Sequence, residues 1–192
     1  AGVGSLALTI LMYVILVFNG LVSTQQRLMR AWSLIDIQLK RRFDLITNLV
    51  KVCRAYLEHE QETLDLVVTA RAGGSPPGTL PTTSDVQAGE RTTEVQAQVV
   101  QKLFALKEDY PELQANQVMG ELQDSITDTE DRLAIARTFY NAATANYNSR
   151  IKRVPEVLFA RMFGYQRAAF YAVDQKHTQV VDVDAALNTN GH

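Results

Sequence analysis

The 192-residue chain is 46% apolar and 21% charged, with a formal net charge of -2 and a pI near 5.9. That balance gives no electrostatic footprint for nucleic acid, whose binders concentrate Lys and Arg on one face. The length fits one domain plus an anchor, and the single cysteine, Cys53, excludes an internal disulfide and any zinc cluster built on several thiolates.

The first charged side chain is Arg27. Before it, Val3 to Val22 is almost wholly apolar, about 20 residues or roughly 30 Å of helix, the thickness of a bilayer's hydrocarbon core. Residues 1–22 are therefore expected to span a membrane, with Leu6, Leu8, Ile10, Leu11, Val14, Ile15, Val17 and Phe18 forming the body of the span. The alternative is a cleaved secretory signal, but no basic residue precedes the run and no A-x-A site follows it, which favours a retained anchor. Arg27 and Arg30 flank the span at head-group level. Together with Lys40, Arg41 and Arg42 they put the nearby basic charge on the C-terminal side, so the positive-inside rule places the C-terminal domain in the cytoplasm of a single-pass membrane protein.

Ser23 to Arg71 contains neither Gly nor Pro and reads as one helix (23–72) continuing from the anchor. A helix from Ser5 to Arg71 would be on the order of 100 Å long. Leu28, Trp32, Ile35, Leu39, Arg42, Ile46, Leu49, Cys53 and Tyr56 step by fours and threes, the period of a coiled-coil seam. Leu45, Val50, Val52 and Leu57 widen that stripe, so the helix should touch more than one neighbour.

Residues 73–89 hold four Gly and three Pro and read as a flexible linker. The rest of the bundle (90–175) begins with a helix near Glu90, carrying Val95, Val99, Leu103 and Leu106 and stopping before Pro111, which reads as a return stroke. A second long helix runs from Pro111 or Gln117 to Arg153, with Leu122, Ile126, Thr129, Leu133, Ala136, Tyr140, Ala143 and Tyr147 on its seam. After Pro155 a short apolar helix, Val157 to Phe163, contains Leu158 and Phe159 and stops at Gly164. The tail, 176–192, shows no sustained periodicity and is expected to be weakly ordered. With no strand-type alternation, the fold class is all-α: an antiparallel bundle whose first helix is continuous with the membrane span.

Within this frame Arg42 falls on an apolar seam, where a charge must be paired. Glu130 and Asp131 on the second long helix are the expected partners, in a register-setting role. The Tyr140-Asn141 and Tyr147-Asn148 pairs lie seven residues apart on one face and are expected to form buried interhelical hydrogen bonds. Lys40 to Arg42 begin about 27 Å beyond the span, too far for flat-bilayer head groups with a Debye length of about 8 Å.

Several long motifs carry a resemblance. AWSLIDIQLKRRFDLITNLV (Ala31 to Val50), HE (His59, Glu60), ETL (Glu62 to Leu64), TAR (Thr69 to Arg71), YPELQAN (Tyr110 to Asn116), LQDSITDTEDRLAIAR (Leu122 to Arg137), the two YN pairs and the Pro155 to Tyr165 stretch resemble the LemA family, in order, over about Leu21 to Tyr171. The chain departs from the family's usual Phe near Val118-Met119, at Val154 and at Tyr165. The resemblance implies a membrane helix with a helical-bundle domain, no catalytic site to carry over, and, through a branch similar to magnetosome membrane proteins, work on membrane organisation.

Catalysis is not expected. A di-iron bundle needs two Glu-x-x-His pairs, whereas this chain has only His59, His177 and His192. No G-x-x-x-x-G-K, H-E-x-x-H or G-x-S-x-G occurs. Lone His59 reads as an exposed helix residue and Cys53 as core. No cofactor or metal is expected, leaving two readings ahead of a metalloenzyme. The first is a scaffold that homo-oligomerises to shape membrane, its partners being the bilayer and itself. The second is a membrane-tethered sensor or adaptor that recruits a soluble protein partner through the linker or tail.

Overall fold

The computed structural model describes residues 2–56 and 79–172, and these form an all-α bundle with no strand among them. Helix α1, Gly2–Arg54, is unbroken for 53 residues, about 80 Å, because nothing in it interrupts the backbone ladder. Its N-terminal part is long and apolar enough to cross a membrane. Leu6, Leu8, Ile10, Leu11 and Ile15 are exposed, Val14 and Phe18 half-buried, and Val17 buried. The expected helix 23–72 is corrected at Arg54, after which residues 55 and 56 form a turn; residues 57–72 and the tail 176–192 lie outside the described residues.

Helix α2 spans Thr83–Asp109, α3 is the single turn Pro111–Gln114, α4 spans Gln117–Arg150 and α5 Glu156–Met162. The expected linker 73–89 is thus corrected at its end, since helix begins at Thr83. Thr82 and Asp85 form a capping box, the Thr82 hydroxyl accepting from the Asp85 N–H while the Asp85 carboxylate accepts from the Thr82 N–H. This satisfies two otherwise orphaned donors. Pro111 opens the separate turn α3, and of the two expected starts of the second long helix Gln117 is the one observed, behind the Asn116 cap that accepts from the N–H groups of Val118 and Met119. That helix also ends at Arg150, short of Arg153.

Cross-helix pairs fix the directions. Thr24 meets Arg150, Trp32 meets Tyr140, Arg42 meets Glu130 and Tyr56 meets Asn116, so α4 runs antiparallel to α1. On α2, Gly89 lies against Trp32 and the Gln96 amide donates to the Leu39 carbonyl, so α2 runs parallel to α1. The expected return stroke is therefore wrong in direction. Residue 56 sits at the far end of the body, whereas Leu80 packs in the anchor-side cluster.

Buried side chains form two clusters. The anchor-side one joins Leu21, Leu28, Trp32, Ile35 and Leu39 to Leu133, Ala136, Tyr140 and Tyr147. The far one joins Ile46, Leu49, Val50 and Cys53 to Val99, Val100, Leu103, Leu113, Met119 and Ile126. The residues that widen the α1 stripe, Leu45, Val50 and Val52, are absorbed by this second cluster. That cluster includes Val99, Val100 and Leu103 of α2, and Leu57 lies outside the described residues. On α4 the buried position is Thr144, with Ala143 only partly buried, because a 3.6-residue turn drifts from a strict 3.5 repeat over several turns.

Candidate functional site

A polar belt separates the two clusters. Arg42 is 2% exposed, and Gln96 and Thr129 are fully buried beside it in sequence register. Arg42 donates through Nη2 to the Glu130 carboxylate. Burial pulls the Arg42 pKa below the ordinary guanidinium value, Glu130 pushes it back up, and Arg137 adds a smaller downward push. Glu130 is thus the partner the seam required. Asp131 makes no ion pair with Arg42 among the described residues, because the next helical residue is rotated by about 100°. The neighbouring basic residue Arg41 pairs outward with Asp128 at 3.9 Å, a surface contact that is worth little.

The two YN pairs form a second assembly, and its partner is not a helix. After Gly164, whose φ of 69° turns the chain, residues 165–172 run extended along α4. The Tyr147 hydroxyl donates to the Gln166 carbonyl and the Tyr140 hydroxyl to that of Ala169. Asn148 grips Ala168 through both N–H and C=O, at 3.0 and 2.9 Å, and Asn141 grips Tyr171 the same way, at 2.9 and 3.0 Å. Seven residues of helix advance about 10.5 Å, and three residues of extended chain about 9–10 Å. One heptad of α4 therefore matches three residues of the segment. The hydrogen bonds expected between helices instead sew down a strap.

Net hydrogen-bond gains near 1 kcal/mol each only offset the backbone entropy of ordering such a strap, about 1–2 kcal/mol per residue. The surplus comes from Tyr171, which is buried between α2 and α4. Its hydroxyl lies 2.9 Å from that of Thr93, its ring lies under the Arg137 guanidinium at 5.0 Å, and the Ala172 N–H donates to Glu90. A Cβ on Gly89 would stand 3.3 Å from the Trp32 ring and 3.5 Å from Tyr171. Gly89→Leu is therefore expected to cost about 1–3 kcal/mol by overpacking, read as a lowered melting midpoint with altered Trp32 fluorescence.

At the anchor end, the Arg150 guanidinium fills the space a Cβ on Gly20 would need, and it donates to the Thr24 hydroxyl at 3.1 Å. Helix α5 packs beside this point with Ala160 inward, Phe159 half-buried, and Leu158 and Phe163 exposed. The Phe163 ring lies 5.4 Å from that of Phe18. A cleft of about 770 Å³ opens between Phe18, Leu80–Ser84 and Phe163–Ala168. Arg27 and Arg30 border a shallower groove, about 460 Å³, with Leu34 and Phe139. The residues expected at the bundle interface (Trp32, Ile35, Leu39, Ile46 and Leu49) are all buried.

His59, His177 and His192 lie outside the described residues, and among the described residues no group of His, Cys, Asp or Glu has the clustering of a metal site. The sequence reading missed the strap at 165–172. Its signal was present in the bidentate, short-armed Asn of each YN pair, an amide suited to pairing with an extended backbone.

The LemA family model matches residues 31–184. The chain is 34% identical over 70 residues to the magnetosome proteins MamQ 1 and MamQ 2 of Paramagnetospirillum magneticum, and 33% identical over 70 residues to magnetosome protein MamQ of Magnetospirillum gryphiswaldense. Each match covers 36% of this chain and 26% of the relative, so the chain spans about a quarter of the curated relatives' length.

Proposed function

Because this chain belongs to the LemA family, we propose that it is a membrane-anchored, non-catalytic bundle protein that associates with copies of itself to scaffold or shape the membrane. The observation that carries self-association is an apolar strip on the outer face of the body. Leu34 and Ile37 on α1 and Ile135 and Phe139 on α4 are 46%, 56%, 57% and 62% exposed, and Leu34 and Phe139 line one groove. Contiguous exposed apolar surface of this kind marks an interaction site. The partial likeness to proteins named for the magnetosome supports a role in organising a structure rather than in a metabolic reaction.

In this reading the span fixes α1 upright, the body stands in the cytoplasm, and neighbouring bodies meet edge to edge along the strip. Detergent extraction followed by native mass measurement tests it. The wild type is expected to give a defined oligomer, and Leu34→Asp with Phe139→Asp to give monomers that keep the helical circular dichroism of the wild type, because both positions face away from the core of the single body. A wild type that is strictly monomeric at working concentration overturns the proposal.

A further inference from the structure

Beside the end of the span, α5 presents an apolar face that no part of the described chain covers. Val154, Leu158, Met162 and Phe163 are 83%, 65%, 69% and 55% exposed. Leu158 and Met162 lie one helical turn apart, while Ala160, about 200° around from Leu158, is 3% exposed and faces the core. The helix is thus two-sided, with its inward side already satisfied.

Its height is set by aromatic contact with the anchor. Phe163 packs on Phe18, which lies four residues before the end of the Val3–Val22 run, about 6 Å along the axis. Leu21, within that run, is fully buried in the same cluster as Ile151 and Ala160. The body therefore overlaps the last turn of the span instead of starting above it. A bilayer that covers α1 through Val22 reaches the exposed side of α5.

Charge around that side matches one leaflet surface. Between residues 150 and 167 the chain carries Arg150, Lys152, Arg153, Arg161 and Arg167 against one acid, Glu156, and Glu156 already faces Arg150 at 3.7 Å. An apolar strip rimmed by basic residues is the arrangement of a helix lying in the boundary between head groups and acyl chains, and anionic lipid complements the rim. A second copy fits less well, because a two-fold contact through this face would set the basic rim against itself.

We propose that α5 and its flanks form a second membrane contact, a short interfacial helix that rests in the leaflet beside α1 and is held there by anionic lipid. This rests on the reading of residues 3–22 as a membrane span. It gives the body two attachment points, which fixes its rotation about the anchor as well as its height.

The test uses the full chain in vesicles of phosphatidylcholine with phosphatidylglycerol, carrying spin labels at Leu158→Cys, Met162→Cys, Leu11→Cys or Gln98→Cys. Native Cys53 does not compete for label, since it is fully buried and burial raises its thiol pKa. Labels at 158 and 162 are expected to collide with oxygen, relative to a water-soluble paramagnetic reagent, several-fold more than the label at 98 and to approach the ratio at 11. The contrast is expected to shrink in vesicles of phosphatidylcholine alone. Aqueous exposure at 158 and 162 with lipid exposure at 11 overturns the proposal while leaving the anchor standing. Aqueous exposure at 11 overturns the anchor itself and this inference with it. Shielding of 158 and 162 from both reagents identifies a protein cover and also overturns it, and indifference to phosphatidylglycerol overturns the anionic-lipid part.

Discussion

Titrating the protein from pH 10 to pH 12 is expected to remove on the order of 5 kcal/mol of stability, with little change below pH 9. Burial pushes the Tyr140 and Tyr147 hydroxyls up to about 12, whereas the unfolded chain titrates near 10. A folded pKa above the unfolded one means that the unfolded state releases protons first. The stabilisation is therefore complete below about pH 10 and is lost as the pH rises through the folded values. Structurally, an ionised Tyr147 can no longer donate to Gln166, nor Tyr140 to Ala169, and each oxyanion is left facing a carbonyl. Tyr171, raised by the same burial, adds to the slope. Circular dichroism against pH measures it. The Tyr140→Phe, Tyr147→Phe double variant should lose most of the alkaline step while costing about 1 kcal/mol per hydroxyl at neutral pH. An unaltered step in that variant would assign the loss to other groups.

The polar belt gives the second large effect, and its two partners should behave oppositely. Glu130→Ala leaves the nearly sealed Arg42 guanidinium without its counter-charge, which is expected to cost about 2–4 kcal/mol. For a chain of this size that lowers the melting midpoint by roughly 5–15 °C. Arg42→Met leaves only Glu130, whose side chain is 48% exposed and stays hydrated. The same site then becomes apolar between two apolar clusters, and the expected change is near zero or stabilising by about 1 kcal/mol. Thermal unfolding of the two variants in one detergent decides the matter. Equal losses would mean that Arg42 serves packing or register beyond its charge.

Much of this architecture is legible from residues because helical burial is periodic. The stripe from Leu28 to Cys53 is buried at each step, and the charge on that stripe, Arg42, identified its own partner on α4. The errors occur where local composition competes with a short-range signal. Gly and Pro at 73–81 masked the Thr82 and Asp85 capping box, although T-x-x-D followed by Val86 is a helix-start pattern. The direction of α2 was not legible at all, since an apolar stripe reads the same from either end. The strap at 165–172 escaped because its backbone is recognised, and backbone leaves no pattern in a sequence except through its recogniser. The YN pairs stand out in the sequence, but a buried Tyr or Asn on a helix more often meets another helix than an extended segment.

The strap also sets what changes the domain can absorb. Asn141 and Asn148 touch main-chain atoms that every residue but proline possesses, so these contacts are indifferent to spelling at 168. They are intolerant of length. One inserted residue between 168 and 171 would break the three-to-seven match, and no choice of side chain could restore it. Away from buried Tyr171, side chains whose only role is to carry the gripped backbone can change, while a single-codon insertion or deletion cannot be absorbed.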